Sequence, residues 1–206
     1  MASQLAPTRA PSRRQVLSTR GVEANARLTG SVAAVLLVLL ALEGVTLLRI
    51  RPLLALHVLV GTAIIPPVLL KIGSTTYRFV RYYTGSPAYR RKGPPAPLLR
   101  LLGPLVVLLT LAVLATGLAL LLAPVPDRPA LLRLHQASFV VWFFVMALHV
   151  LGHFLDTARL APRDWYWRTR RQVAGAGLRQ WTVAASLAVG FLLGTFLLTR
   201  SAGFLV

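Results

Sequence analysis

The chemistry open to this chain rests on four histidines: His57, His135, His149 and His153. Each lies in a stretch apolar enough to read as a membrane-spanning helix. An ionisable side chain inside a bilayer is costly, so its presence there points to a functional site. Neutral imidazole is a common metal ligand and holds the iron in most protein-bound haems. His135 and His149 are 14 residues apart on one apolar run. On an α-helix that interval advances roughly 21 Å and returns to nearly the same face. It suits two b-type haems stacked in a four-helix bundle. His57 lies at a depth matching that of His135, on a run that points the same way. Haem held between His57 and His135 is the sharpest site this pattern defines.

Five apolar runs must position these residues, at about 30–48, 53–72, 99–123, 131–156 and 181–199. Each approaches the roughly 20 residues needed to cross a bilayer core. With 56% hydrophobic residues and a mean hydropathy of +0.67, the 206-residue chain is expected to be an all-α integral membrane bundle. The connections are too short for a nucleotide- or flavin-binding domain. Residues 1–29 read as a basic, poorly ordered tail. Ser12-Arg13-Arg14-Gln15-Val16-Leu17 resembles part of a twin-arginine signal, but an uncleaved basic tail is the simpler reading.

The chain has no cysteine, which excludes thiolate metal sites, iron–sulfur clusters and covalent c-type haem attachment. The net charge of +18 raises nucleic acid as a partner, and its distribution argues against that. With the N-terminus inside, eighteen Lys and Arg fall on inner segments against five on outer ones. This is a positive-inside pattern suited to anionic lipid headgroups and a bacterial cytoplasmic membrane. The inner connection with Tyr77, Phe79, Tyr82, Tyr83 and Tyr89 reads as an interface belt or a docking face. Trp165-Tyr166-Trp167 repeats that interfacial signature. Gly190 and Gly194 form a GxxxG for packing or dimerisation.

The second level of the site is less regular. Fourteen residues after His57 stands Lys71 rather than a histidine, so His149 lacks a histidine opposite it. His153 is one turn from His149, and two residues of one helix face cannot take opposite sides of one iron. His153 instead suits a pairing with Asp156 or a haem propionate. Gly61, one turn from His57, lets a porphyrin approach the backbone, or serves plain helix packing. Glu43 can orient a ligand imidazole through its second nitrogen, carry protons for a quinone, or pair with Arg49, Arg51 or Arg133. Phe139 and Trp142 can pack on a macrocycle or on neighbouring helices.

LHVLVGTAIIPPVLLK and LHQASFVVWFFVMALHVLGHF resemble bacterial cytochrome b membrane domains of the di-haem b561 and cytochrome b/b6 class, and ferric-reductase-like domains. KIGSTTYRFVRYYTGSPAYRRKGPPAP is similar to actinobacterial proteins of this type, some associated with molybdopterin oxidoreductases. The resemblance covers roughly residues 28–160. It implies His57 with His135 as one bis-histidine pair and His149 as a ligand of a second haem; Lys71 is the departure. It also implies electron relay between a membrane donor such as quinol and a redox partner, for which a molybdopterin oxidoreductase is the first candidate. The rival expectation is a non-redox transporter or anchoring subunit whose histidines serve proton or metal transfer, or helix packing. A third is a self-contained haem reductase.

Overall fold

The structure, a computed structural model, describes residues 13–93, 97–160 and 174–200. These residues form helices α1 (Arg13–Leu48), α2 (Ile50–Tyr83), the short α3 (Pro87–Lys92), α4 (Pro97–Leu122), α5 (Arg128–Leu160) and α6 (Ala176–Arg200), with a 3₁₀ turn at Val125–Asp127 before α5. All but α3 are long and apolar enough to cross a membrane. The chain is a multi-pass, all-α membrane protein. Helices suit that solvent because each satisfies its own backbone polar groups. Large apolar side chains such as Val140, Phe144, Leu148 and Leu151 accordingly stand exposed along α5.

Several helices overrun their apolar cores. Residues 13–29, expected to be poorly ordered, are the opening turns of α1. Two of their polar side chains bond to α2: Asn25 donates to the Ser74 carbonyl at 3.1 Å, and the Thr29 hydroxyl to Ser74 Oγ at 3.0 Å. Residues 1–12 and the Trp165-Tyr166-Trp167 stretch lie outside the described residues. The α1–α2 turn is tighter than expected, with Arg49 alone between the two helices. Pro52 then falls in the first turn of α2, where its missing N–H has no helical partner to lose.

The helices alternate in direction. α1 pairs with α2 and α4 with α5, while α1 also packs on α5 and α2 touches α4. That order closes a four-helix ring in which α2 and α5 are diagonal. α6 packs outside the ring against α2. The core sits where α1, α2 and α6 meet, around Val32, Leu36, Leu39, Val60, Ile64, Val68 and Val183.

The GxxxG of α6 is therefore spent inside the chain. A Cβ at Gly190 would run into the Ala63 carbonyl oxygen, and one at Gly194 would come within 2.7 Å of Thr62 Oγ1 and 2.8 Å of Leu59 Cδ1. Pro67 explains the exposed carbonyl. It has no N–H to give to Ala63, four residues earlier. Gly190 covers that freed oxygen, as neighbouring helices do for proline-interrupted spans.

α3 folds under the bundle, with Tyr89 and Ala88 buried against Val22 and the Tyr89 ring edge-on to Tyr77 at 6.0 Å. Burial, reinforced by Tyr77, pushes the Tyr89 phenol above its ordinary range against the pull of Arg81 and Arg78. A raised folded-state pKa means stability that is full below the unfolded value of about 10 and is lost as pH rises through the folded value. Tyr89→Phe is expected to keep the packing and remove this alkaline loss. Thermal unfolding at pH 9 and pH 11 checks it; an unchanged alkaline loss in the variant refutes it.

Candidate functional site

His57 enters the bundle from α2, near the α1–α2 turn. Its Nδ1 lies 2.9 Å from Glu43 Oε1 and 2.9 Å from Thr46 Oγ1, both on α1. A carboxylate only accepts, and the Thr46 hydroxyl gives its proton to the Glu43 carbonyl at 2.6 Å. Both groups therefore accept from His57, and Nδ1 carries the ring proton. In the neutral imidazole Nε2 then keeps the lone pair.

His135 enters from α5 at the same end and repeats the device. Its Nδ1 lies 3.1 Å from Thr116 Oγ1 of α4. That hydroxyl donates to the Ala112 carbonyl at 2.8 Å, which leaves its oxygen to accept from the imidazole. With Nδ1 as the donor, the neutral imidazole again keeps its lone pair on Nε2. The ring lies over Gly117, where a Cβ would stand 3.0 Å from Cε1. A side chain there would have to push the imidazole aside by a few tenths of an ångström. The two imidazole centroids are 6.4 Å apart, with planes at 75°. The two residues expected to face each other do so across the bundle diagonal.

Of the alternatives for Glu43, the structure realises the imidazole contact. Glu43 is half-buried, and its second oxygen, Oε2, is buried without a hydrogen-bond partner among the described residues. Gly61 serves this pair. A Cβ there would meet Glu43 Oε1 at 3.0 Å, so its bare backbone makes room for the carboxylate. Thr46, Thr116 and Gly117 were missed from the sequence. The available signal was weak: single hydroxyls within apolar runs at the depth of the histidines.

Trp142 is buried and donates from Nε1 to Thr110 Oγ1 at 2.9 Å, stitching α5 to α4 in the same antiparallel register as His135 to Thr116. Phe139 stacks at a tilt on Trp142 with centroids 6.0 Å apart. Trp142→Phe is expected to cost about 1 kcal/mol, the scale of one interhelical hydrogen bond in a membrane. Unfolding in mixed micelles checks it; a loss several times larger assigns Trp142 a role beyond this bond.

His149 and His153 lie deeper on α5, their rings 4.8 Å apart. Among the described residues the buried His149 Nδ1 has no hydrogen-bond partner. Lys71, on the diagonal helix α2, makes no hydrogen bond to either histidine among the described residues. Its Nζ donates instead to the Thr29 carbonyl of α1 at 2.9 Å. The Asp156 side chain, the expected partner of His153, lies outside the described residues. Among the described residues no three His, Asp or Glu side chains gather closely enough to cage a metal ion. What the fold offers is a facing pair of imidazoles at one level and two histidines one turn apart at the other. No protein-family model, curated protein or solved structure matches the chain.

Proposed function

We propose that this protein is a membrane b-type cytochrome in which His57 and His135 would hold one haem. A single observation carries the reading: both imidazoles commit Nδ1–H to groups of the bundle, leave Nε2 with a lone pair, and face each other with centroids 6.4 Å apart. Imidazole nitrogens bind transition metals at about 2.0–2.1 Å, so two rings on opposite sides of one metal hold their centroids roughly 6.3 Å apart. The Glu43 carboxylate on His57 is the partner that orients and strengthens a metal-bound imidazole. When bound there, haem supplies one-electron transfer within the bilayer. The protein's part is to fix both rings, hold their tautomers and surround them with apolar helices.

In this reading electrons pass from a membrane donor, with quinol the first candidate, to a redox partner. A molybdopterin oxidoreductase is the partner to test. The tally of basic residues favours the N-terminus inside a bacterial cytoplasmic membrane. The test is a reduced-minus-oxidised visible spectrum of the purified chain, with haem counted per chain by pyridine haemochrome. A low-spin b-type spectrum at one haem per chain is expected. A colourless protein produced with ample haem overturns the proposal and leaves the rival. In that rival the Glu43–His57 pair, with its unpartnered buried oxygen, carries protons in a non-redox transporter or anchoring subunit.

Glu43 acts through His57 and is a positioning residue. Glu43→Ala is expected to weaken haem retention by about 10–100-fold, the usual cost of losing such a partner. It should also raise the midpoint potential, because a nearby negative charge favours Fe(III). Glu43→Gln keeps an acceptor oxygen for Nδ1–H and should recover most of the affinity but not the potential. Equal haem affinity and potential in all three proteins refute this role.

A further inference from the structure

His149 and His153 stand one turn apart on α5, with their ring centroids 4.8 Å apart and their planes at 58°. We propose that these two imidazoles chelate one small transition-metal ion, copper or zinc, side by side at the end of the bundle away from His57. The site is separate from the haem proposed at His57 and His135, and it stands in place of a second haem.

The ring separation decides the geometry. A metal–nitrogen bond of about 2.0–2.1 Å puts each imidazole centroid roughly 3.15 Å from the metal. Centroids 4.8 Å apart then subtend an angle of about 100° at a shared ion. That lies between the right angle of octahedral neighbours and the tetrahedral angle. It is far from the straight line that two axial ligands of one haem require, which the 6.4 Å between His57 and His135 fits. The difference follows from how the helices supply the rings. The opposed pair comes from two facing helices, and the adjacent pair from successive turns of one.

The pair also faces into the bundle. His153 follows His135 by 18 residues, five full turns at 3.6 residues each, and His149 lies within about 40° of the same face. On that face His135 meets His57. The opposite side of α5 carries the exposed Val140, Phe144, Leu148 and Leu151. Both histidines are half-buried, and His149 Nδ1 is buried with no hydrogen-bond partner among the described residues. Leaving such a nitrogen unsatisfied is costly, and a bond to a metal removes the cost. Imidazole suits copper, zinc and nickel, with Cu(II) the tightest of the divalent series. Histidines at i and i+4 of a helix are a recurrent zinc-binding pair. Two protein ligands leave positions for water, so the ion is exchangeable rather than caged. This agrees with the lack of a third His, Asp or Glu in the cluster among the described residues.

The test titrates Cu(II), and separately Zn(II), into the full chain in neutral detergent, purified without a polyhistidine tag. His149→Leu and His153→Leu are compared with the unaltered pair. All three proteins carry His135→Ala, so that the imidazoles at the other level cannot chelate the probe together. One ion per chain by calorimetry is expected, with two nitrogen donors in the Cu(II) electron paramagnetic resonance spectrum. Losing only an outer partner of a ligand costs about 10–100-fold, so removing either ligand itself should weaken binding by about 100-fold or more. Equal binding by all three proteins overturns the proposal. So does a copper spectrum with one nitrogen donor, or a loss confined to one of the two variants. A second haem in the protein as isolated that is lost in His149→Leu overturns it as well. If His153→Leu does not fold, His149→Leu and the count of nitrogen donors decide. A chain that takes up no haem at His57 leaves this test intact, because the added metal is read separately.

Discussion

Replacing either His57 or His135 with alanine is expected to abolish the low-spin b-type spectrum while the protein still inserts and folds. Each side chain contributes one of two facing lone pairs, and the centroid separation of 6.4 Å leaves no second imidazole to substitute. His149 and His153 are on the same helix as His135, roughly 21 Å and more away at 1.5 Å per residue. Losing only an outer partner of a metal ligand costs about 10–100-fold in affinity, so loss of the ligand itself must cost more. The fold should survive because both residues are only half-buried and the main core is built from other side chains. Helical content by circular dichroism should be unchanged, and imidazole added to the growth medium should partly restore the low-spin spectrum. His149→Ala serves as the control and should keep full haem content. Full haem content in both the His57 and His135 variants would falsify the ligand assignment.

The second large effect belongs to α6. Gly190→Leu is expected to detach α6 from α2 and destabilise the protein by about 3 kcal/mol, at the upper end of overpacking costs. Even Gly190→Ala should be costly, because the obstacle is the Ala63 backbone, and a carbonyl in a helix cannot rotate aside. Gly194→Ala should cost less, since its nearest neighbours are the Thr62 hydroxyl and the end of the Leu59 side chain. Small residues at helix interfaces in membranes act through such close approach, because lipid supplies no hydrophobic drive to association. Unfolding of the three variants in mixed micelles measures the order. An alanine at 194 that costs more than one at 190 refutes the backbone argument. Removing Pro67 tests the same contact from the other side: Pro67→Ala lets residue 67 bond to the Ala63 carbonyl and should lessen the need for Gly190.

Much of this arrangement was legible in the residues. The five spans, their alternation and the matched depth of His57 and His135 follow from apolar run lengths, short connections and 3.6-residue periodicity. Helix ends were less legible. α1 begins well before its apolar stretch because Asn25 and Thr29 bond to Ser74, a residue 45 or more positions away. No local pattern carries that information. Glu43 was visible as an unusual acid in an apolar run, but its choice of His57 over the nearby arginines depends on how α1 and α2 rotate against each other.

The sequence by itself determined that this is an all-α, multi-pass membrane protein with its ionisable groups at two levels, because hydrocarbon admits only closed hydrogen bonding and penalises every charge. Tertiary structure alone decided which groups meet. It put α2 and α5 on a diagonal, turned both Nδ1 atoms toward acceptors on α1 and α4, and gave Gly61 to a carboxylate and Gly117 to an imidazole. It also folded α6 onto the carbonyl that Pro67 leaves free. These are matters of helix rotation and approach at the scale of one ångström. They are fixed by the fit of side chains that are far apart in the chain, so the run of residues along any one helix does not encode them.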